Sequence, residues 1–265
     1  MTGVPTRDEL IAHLVRKKIA GEVATPRQSN LKHYHLLAQR DPYYLLGLSL
    51  TCTWSFDEVL ALMAKRCGVS PDERHLRGQD TIDPELTADA LDAMAERIGA
   101  AARPGVRVLL ATGHPDGLLD VYRSLAVALA RAGCAVLTPA EGWTYRDPSA
   151  YGPSRRTLVY REGVGVVTDG KRDRHSHAPE PMQAILATSP RDEWPDLVIA
   201  DHGLAGAAGE AGVATVGFAD CNDPALFVGE AEGKIAVSVP LDDNVMPGHY
   251  LPLTRYLLAQ AGLRG

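Results

Sequence analysis

The sequence lacks the features of several protein classes. Its four cysteines form no CxxC pair, so a structural zinc site is not expected. It has no run of about 18 apolar residues, the length that a membrane-spanning helix requires. Lys and Arg number 27 against 33 Asp and Glu, and the formal net charge of −6 disfavours nucleic acid or an anionic membrane as a partner.

Positions 1–21 and the few cysteines both bear on the cellular compartment of the protein. Charged residues interrupt positions 1–21, so the uninterrupted apolar stretch of a secretory signal peptide is missing. Few cysteines without a regular spacing suit a reducing environment. We therefore expect a cytoplasmic protein, and the sequence leaves its oligomeric state open.

Residues 1–102 are expected to form a mostly helical N-terminal region. Thr6 and Glu9 form a capping-box pattern before apolar residues at helical spacing. No strand is predicted here, and three more helices are expected at 30–39, 55–66 and 87–99. The polar stretch 22–30 contains Arg27, which could bind a phosphate or simply lie on the surface.

The pattern changes at Arg103, where strands begin to alternate with helices. Short apolar runs predict buried strands at 106–111, 135–137, 157–160, 164–167, 197–200, 214–218 and 235–239. A flexible loop is predicted at 147–156. This alternation predicts an α/β fold, in which residues 103–265 form a Rossmann-like domain with a mostly parallel sheet.

Polar segments follow the predicted strands, where open α/β sheets bind ligands. Thr112, Gly113 and His114 lie between the first buried strand and a helix, whose free N–H groups suit a phosphate. The segment could also be an ordinary turn. His175 and His177 lie two residues apart, so on extended backbone they point the same way and could hold a metal ion or a phosphate. A solvated loop is the alternative.

Three oxygen-bearing side chains at strand ends predict a metal site. Asp201 follows one buried strand, and Asp220 and Asn222 follow the next. Such ligands suit Mg²⁺ or Mn²⁺. Asp223 is interpreted as the cap of a helix that starts at Pro224, and 242–244 as a lesser candidate that could form only an Asx turn.

Together these segments resemble a group of actinobacterial proteins generally labelled phosphatase. The resemblance rests on the TGHP segment, on the histidine-rich segment and on the strand-end Asp segments, and it extends over nearly the whole chain. Its motifs lie at 112–115, 175–181, 201–203 and 217–224, with further matches at 21–27 and 239–244.

The layout is also similar to that of the metal-dependent damage-control phosphatases. In that family, strand-end Asp and Asn residues of an α/β domain hold a divalent metal, which implies Asp201, Asp220 and Asn222 as ligands here. The sequence departs from the family because His202 follows Asp201 and no lysine follows Asp220 at the expected place. The haloacid-dehalogenase signature DxDx[TV] is absent after the first strand, which argues against that class.

The leading hypothesis is a metal-dependent phosphatase that acts on a phosphomonoester of a small metabolite. Asp220, His175, His177 and His202 are the candidates for catalysis, since carboxylates and imidazoles hold metals and move protons. The alternatives are a nucleotide-sugar-binding transferase or epimerase, and a non-enzymatic ligand-binding protein. Metal dependence together with release of free phosphate distinguishes them.

Overall fold

A computed structural model describes residues 3–147 and 154–264. The N-terminal region contains the predicted helices, and both Thr6 and Ser55 make complete capping boxes, with Glu9 and Glu58. Its elements are α1 (Arg7–Arg16), β1 (Gly21–Pro26), α2 (Arg27–Ala38), α3 (Phe56–Cys67), β2 (Gln79–Ile82) and α4 (Pro84–Ala101).

The prediction that this region has no strand is wrong. Strands β1 and β2 pair antiparallel, with Gly21 opposite Ile82. Each strand is short and buries only alternate side chains, and more than fifty residues of chain separate the two partners. Such a pairing is stabilised by tertiary contacts, so it leaves no strong local pattern in the sequence.

The second part of the chain alternates strands and helices as predicted. Its elements are β3 (Arg107–Ala111), α5 (Pro115–Arg131), β4 (Ala135–Val136), β5 (Thr144–Asp147), β6 (Ser154–Arg161), β7 (Val164–Thr168), β8 (Asp173–Arg174), α6 (Glu180–Ala187), β9 (Leu197–Ala200), α7 (His202–Glu210), β10 (Thr215–Ala219), α8 (Pro224–Ala231), β11 (Val237–Pro240) and α9 (Leu251–Gln260). Two short 3-10 helices span Arg191–Glu193 and Pro247–Tyr250.

The strands form one large mixed sheet with a parallel centre, which confirms the predicted fold class. The strand order is β11-β10-β9-β3-β7-β6-β5, with β4 also beside β3 and β8 also beside β7. Strands β11, β10, β9, β3 and β7 run parallel, whereas β5, β6 and β8 are antiparallel to their neighbours. Positions 148–153 of the predicted flexible loop lie outside the described residues, and at its ends Asp147 pairs with Ser154.

The N-terminal region packs directly on the α/β part. Helix α4 lies against β11 and α9, and α2 and α3 lie against α8. Buried apolar residues from both parts belong to one core cluster. The proposed division at residues 102 and 103 stays a prediction. Among the helices of the described residues, none is both long enough and apolar enough to cross a bilayer.

The sheet brings four polar segments to one edge. Strands β3, β9, β10 and β11 are parallel neighbours, so the residues after each strand emerge side by side. The segment 175–179, which connects β8 to α6, lies against the residues after β3, since Ser176 N–H donates to the Gly113 carbonyl at 2.9 Å. This edge carries the candidate site.

Candidate metal centre

A cleft of about 490 Å³ lies at the carboxyl ends of the parallel strands. Strand-end loops form its floor, and the N-terminal region forms part of its rim. Its lining residues are Ala24, Thr25, Pro26, His33, Tyr43, Tyr44, His114, His175, His177, His202, Asp220, Asn222, Asp223, Asp242, Asp243 and Asn244. A larger cleft, of about 650 Å³, lies near the opposite ends of the strands, and no histidine lines it among the described residues.

His202 is at the centre of the polar cluster. Its Nδ1 lies 2.9 Å from an Asp201 oxygen, and its Nε2 lies 3.2 Å from Asp223 and 3.5 Å from Asp243. Burial alone would lower the pKa of His202, but the hydrogen bonds to Asp201 and Asp223 raise it well above its usual value. The residue has φ of +48°, which is uncommon for a side chain with a Cβ and typical of functional sites.

Asp201 lies behind His202 and does not line the cleft. It accepts hydrogen bonds from Thr112 Oγ1 and from the Gly113 N–H, each at 2.6 Å. Burial would raise the pKa of Asp201, but the hydrogen bond from His202 and these two donors hold it below its usual value. Asp201 therefore fixes the orientation of the imidazole, as a carboxylate behind a metal-binding histidine commonly does.

The same two hydrogen bonds bear on the predicted phosphate site. Thr112 Oγ1 and the Gly113 N–H both donate to the buried Asp201. Because these donors are already used, a role in binding phosphate does not fit them. His114 does line the cleft, with its Nε2 3.7 Å from an Asp243 oxygen. Burial, and then the neighbouring His202, lower the pKa of His114.

Asp223 and Asp243 are the carboxylates that face His202. Asp223 occupies the N-cap position of α8, yet its side chain makes no capping hydrogen bond within the described chain. The hydrogen bond with His202 holds the pKa of Asp223 below its usual value, although burial opposes this shift. The Asx turn is made by Asp242, whose Oδ1 accepts from the Asn244 N–H, and this leaves Asp243 free to face the cleft.

Asp243 has one carboxylate oxygen whose hydrogen-bonding capacity is not met within the described chain. Its Oδ2 is buried and has no hydrogen-bond partner among the described residues. Burial raises the pKa of Asp243 to about 8, and the carboxylates of Asp223 and Asp201 add to this effect. A buried carboxylate oxygen without a partner is costly unless a cation or a proton meets it.

His175 and His177 do project into the same cleft. Their ring centroids are 4.8 Å apart and lie 5.1 and 4.6 Å from that of His202. Desolvation, and then the charge of His202, lower the pKa of His175 to about 3 and that of His177 to about 4. Both imidazoles are thus neutral at pH 7, which is the form that ligates metals.

Two glycines allow the histidine segment to lie this close. A Cβ on Gly113 would collide with the Ser176 carbonyl oxygen, and a Cβ on Gly203 would collide with the His177 carbonyl oxygen. Both glycines sit directly after parallel strands, beside Asp201 or His202. Close backbone approach, which only glycine permits, therefore places His177 beside His202.

Asp220 and Asn222 line the cleft, as predicted for metal ligands. Asp220 Oδ2 accepts from Thr25 Oγ1 at 2.6 Å, and its Oδ1 accepts from the Cys221 N–H at 2.6 Å. Burial, and then the neighbouring Asp243, raise the pKa of Asp220 well above its usual value. Of the three predicted ligands, two are on the wall, and Asp201 is one layer behind.

Arg27 lies away from the cleft wall. Its side chain is fully buried and forms an ion pair with Asp80 at 2.9 Å. Its other donors bond the carbonyls of Ser70, Asp72 and His75. A fully buried guanidinium whose donors bond these partners does not reach the cleft, so the predicted phosphate clamp does not fit this geometry.

Three rim residues carried no signal in the sequence. His33 on α2 bonds the Asn222 carbonyl through Nδ1 at 2.8 Å, and its ring packs on Tyr44. Tyr43 is 58% exposed and stacks on His177, with ring centroids 4.9 Å apart. Only the packing of the N-terminal region on the sheet brings these rings to the cleft.

The donor set fits a divalent cation. Two groups of three side chains, His202 with Asp223 and Asp243, and His175 with His177 and His202, each have ligand atoms within 4.8 Å of one another. The second observation is the buried Asp243 Oδ2, which accepts no hydrogen bond from the described residues and lies 3.5 Å from His202 Nε2. Mixed imidazole and carboxylate donors of this kind bind divalent metal ions in proteins.

Comparison with known proteins connects this geometry to an activity. A family model described as Phosphatase matches residues 5–265. The chain is also similar to the Streptomyces coelicolor protein named Phosphatase SCO2771, with 52% identity over 266 residues that cover 99% of this chain and 98% of that protein. The similarity therefore includes the N-terminal region as well as the sheet.

Proposed function

We propose, from the premise that this chain belongs to the Phosphatase family, that it is a metal-dependent hydrolase of a phosphomonoester of a small metabolite. The observation that carries the metal dependence is the group of His202, Asp223 and Asp243, whose ligand atoms converge within 4.8 Å. Family membership favours hydrolysis over the transferase, epimerase and non-enzymatic alternatives.

The residues around the proposed metal have separate roles. The Nδ1–H group of His202 is proposed to donate to Asp201, so Nε2 is the ring atom that would bind a cation in the cleft. Asp223 and Asp243 supply anionic oxygens on the same side. A bound divalent cation would neutralise charge on the phosphoryl oxygens and lower the pKa of an attacking water.

The residues predicted to be catalytic are proposed to have different roles, because their pKa values and hydrogen-bond partners differ. Since their pKa values are lowered, His175 and His177 are proposed as neutral ligands in preference to proton donors. Asp220 is held by Thr25 beside Asp243 and is proposed to balance the charge of the site. His114 is the one predicted phosphate-binding residue that faces the cleft, and we propose that it contacts the substrate.

The donor set refines the proposed metal. Mg²⁺ prefers oxygen ligands and keeps several waters, whereas imidazole ligands suit Mn²⁺, Zn²⁺ and similar ions. The cleft offers several imidazoles beside its carboxylates. Of the two ions expected from the sequence, Mn²⁺ therefore fits better than Mg²⁺, and Zn²⁺ is a further candidate.

A screen of phosphomonoesters against several metals tests this function. Protein stripped with a chelator should release no phosphate, and Mn²⁺ or Zn²⁺ should restore release. Asp243→Asn and His202→Ala should remove nearly all turnover, because metal charge stabilisation is worth several kcal/mol. Asp196→Asn is the matched control, since Asp196 is an exposed carboxylate at the opposite end of β9. Full turnover in the stripped protein would refute the metal dependence.

A further inference from the structure

The wall of the cleft is rich in carboxyl groups, and histidine is its basic residue type among the described residues. Four carboxylates line it, from Asp220, Asp223, Asp242 and Asp243. No Lys or Arg lines the cleft among the residues that the structure describes, and the unplaced residues include neither type. Asp201 adds a further buried carboxylate behind His202.

Such a wall does not by itself favour a phosphate ester. Ionised carboxylates within a few ångströms of a dianionic phosphate repel it strongly, so protons or cations must offset their charge. A second bound cation would add the positive charge that a dianionic phosphate monoester requires.

The ligands also separate into two groups. His202 Nδ1 is used by Asp201, so only Nε2 can bind a metal, and it can serve only one ion. Its carboxylate neighbours Asp223 and Asp243 then complete one site, which leaves His175 and His177 as a second pair. The ring centroids of His177 and His202 are 4.6 Å apart, so an ion on His177 would be a close neighbour of an ion on His202, and two-metal phosphatases hold their ions about 3.5–4 Å apart.

We infer that the cleft binds two divalent cations, one on His202, Asp223 and Asp243 and the other on His175 and His177. Asp243 is 6% exposed, and its Oδ2 accepts no hydrogen bond among the described residues, which supports the first ion. The buried Nδ1 of His177, which also lacks a partner among the described residues, supports the second. This inference rests on the proposed metal dependence and extends it to a count and an assignment of ligands.

Metal stoichiometry tests the inference without an activity measurement. Stripped protein is dialysed to equilibrium against Mn²⁺, and bound manganese per chain is measured by mass spectrometry. Two ions per chain are expected, with the exchange-coupled electron paramagnetic resonance signal of neighbouring Mn²⁺ ions. The double variant His175→Ala, His177→Ala should bind one ion and lose the coupling. His35→Ala is the control, because His35 lies on the same helix as His33 but stacks on Phe56, with centroids 3.8 Å apart.

The outcomes separate this inference from the proposed function. One ion per wild-type chain, with metal-dependent phosphate release retained, would overturn the second site alone. No bound manganese and no effect of other divalent ions would overturn both proposals. Two ions retained in a folded double variant would overturn the assignment to His175 and His177. Circular dichroism verifies the fold of each variant, and the wild-type count decides the number of sites even if the double variant unfolds.

Discussion

Asp201 and His202 are neighbours in sequence, and a 2.9 Å hydrogen bond joins the carboxylate of the first to the imidazole of the second. The bond orients the ring so that Nδ1 faces Asp201 and Nε2 faces Asp223. Thr112 and Gly113 hold Asp201 from the other side. One strand end thus supplies both a side chain that lines the cleft and the group that orients it.

The first prediction concerns this orientation. Asp201→Asn keeps the shape of the side chain but removes its charge, so it should weaken metal affinity about 10–100-fold while the fold is retained. Titration calorimetry with Mn²⁺ measures the change. Asp196→Asn at the other end of β9 serves as the control and should bind metal as the wild type does. If Asp201→Asn bound metal with unchanged affinity, His202 would not need the Asp201 carboxylate to orient it, and the prediction would be wrong.

The second prediction concerns backbone approach. A Cβ on Gly203 would collide with the His177 carbonyl, so Gly203→Ala should displace the histidine segment. We expect a loss of about 1–3 kcal/mol of stability, as in other overpacked sites, together with weaker metal binding. Gly248→Ala is the control, since a Cβ there meets no atom within 4 Å. Urea unfolding and metal titration of both variants measure the difference, and equal behaviour would contradict the argument.

The third prediction concerns Arg27, whose expected role in phosphate binding does not fit the structure. Arg27→Met leaves Asp80 as a buried, unpaired charge and should cost about 3–5 kcal/mol of stability. Adding Asp80→Asn removes that charge and should recover a large part of the loss. Urea unfolding tests both variants. A stable Arg27→Met protein with a much higher KM for its phosphoester would instead show that Arg27 binds substrate.

The fourth prediction concerns pH and a site away from the cleft. Glu232 accepts hydrogen bonds from the Thr51 and Cys52 N–H groups and from Trp54 Nε1. Burial opposes ionisation of Glu232, but these bonds outweigh it and lower its pKa to about 2. The folded-state pKa is depressed, so the stabilisation is present above the unfolded value near 4.5 and is lost as pH falls towards 2.

Glu232→Gln therefore isolates this contribution. At pH 7 it should reduce the free energy of unfolding by about 1 kcal/mol, after allowance for solvent screening at a partly exposed group. The difference from wild type should shrink as pH falls below about 4.5. Urea unfolding at pH 7 and pH 4 measures it, with Glu96→Gln, an exposed residue of α4, as the control. A difference that grows in acid would contradict the assignment.

Local patterns in the sequence were sufficient to predict the parallel part of the sheet. Strands such as β3 and β9 are short, continuous apolar runs, and each ends in a polar turn that is visible in the sequence. Because parallel strands end at one edge, placing a site after them required only the fold class. The histidine pair at 175 and 177 was found differently, from its two-residue spacing before a predicted helix.

The sequence could not show which strand-end side chains face His202. That depends on the direction of the backbone in each loop and on partners that are distant in sequence. Asp220 and Asp223 lie in one four-residue loop, and only the fold decides that Asp223 faces His202 while Asp220 bonds Thr25. Likewise, nothing local shows that Thr112 donates to Asp201, a residue 89 positions away. The pairing of β1 with β2, which places Thr25, is equally remote in sequence.

The rim of the cleft has a consequence for how this protein can change over evolutionary time. His33, Tyr43 and Tyr44 come from the N-terminal region, whereas the other histidines and the carboxylates of the cleft come from loops of the sheet. Tyr43 stacks on His177, and His33 bonds the Asn222 carbonyl, so a substitution at either position changes both the entrance and the support of the side chains beneath it. A library randomised at the three rim positions should therefore yield variants in which substrate preference and metal affinity change together, so selectivity and catalysis are expected to evolve as one trait.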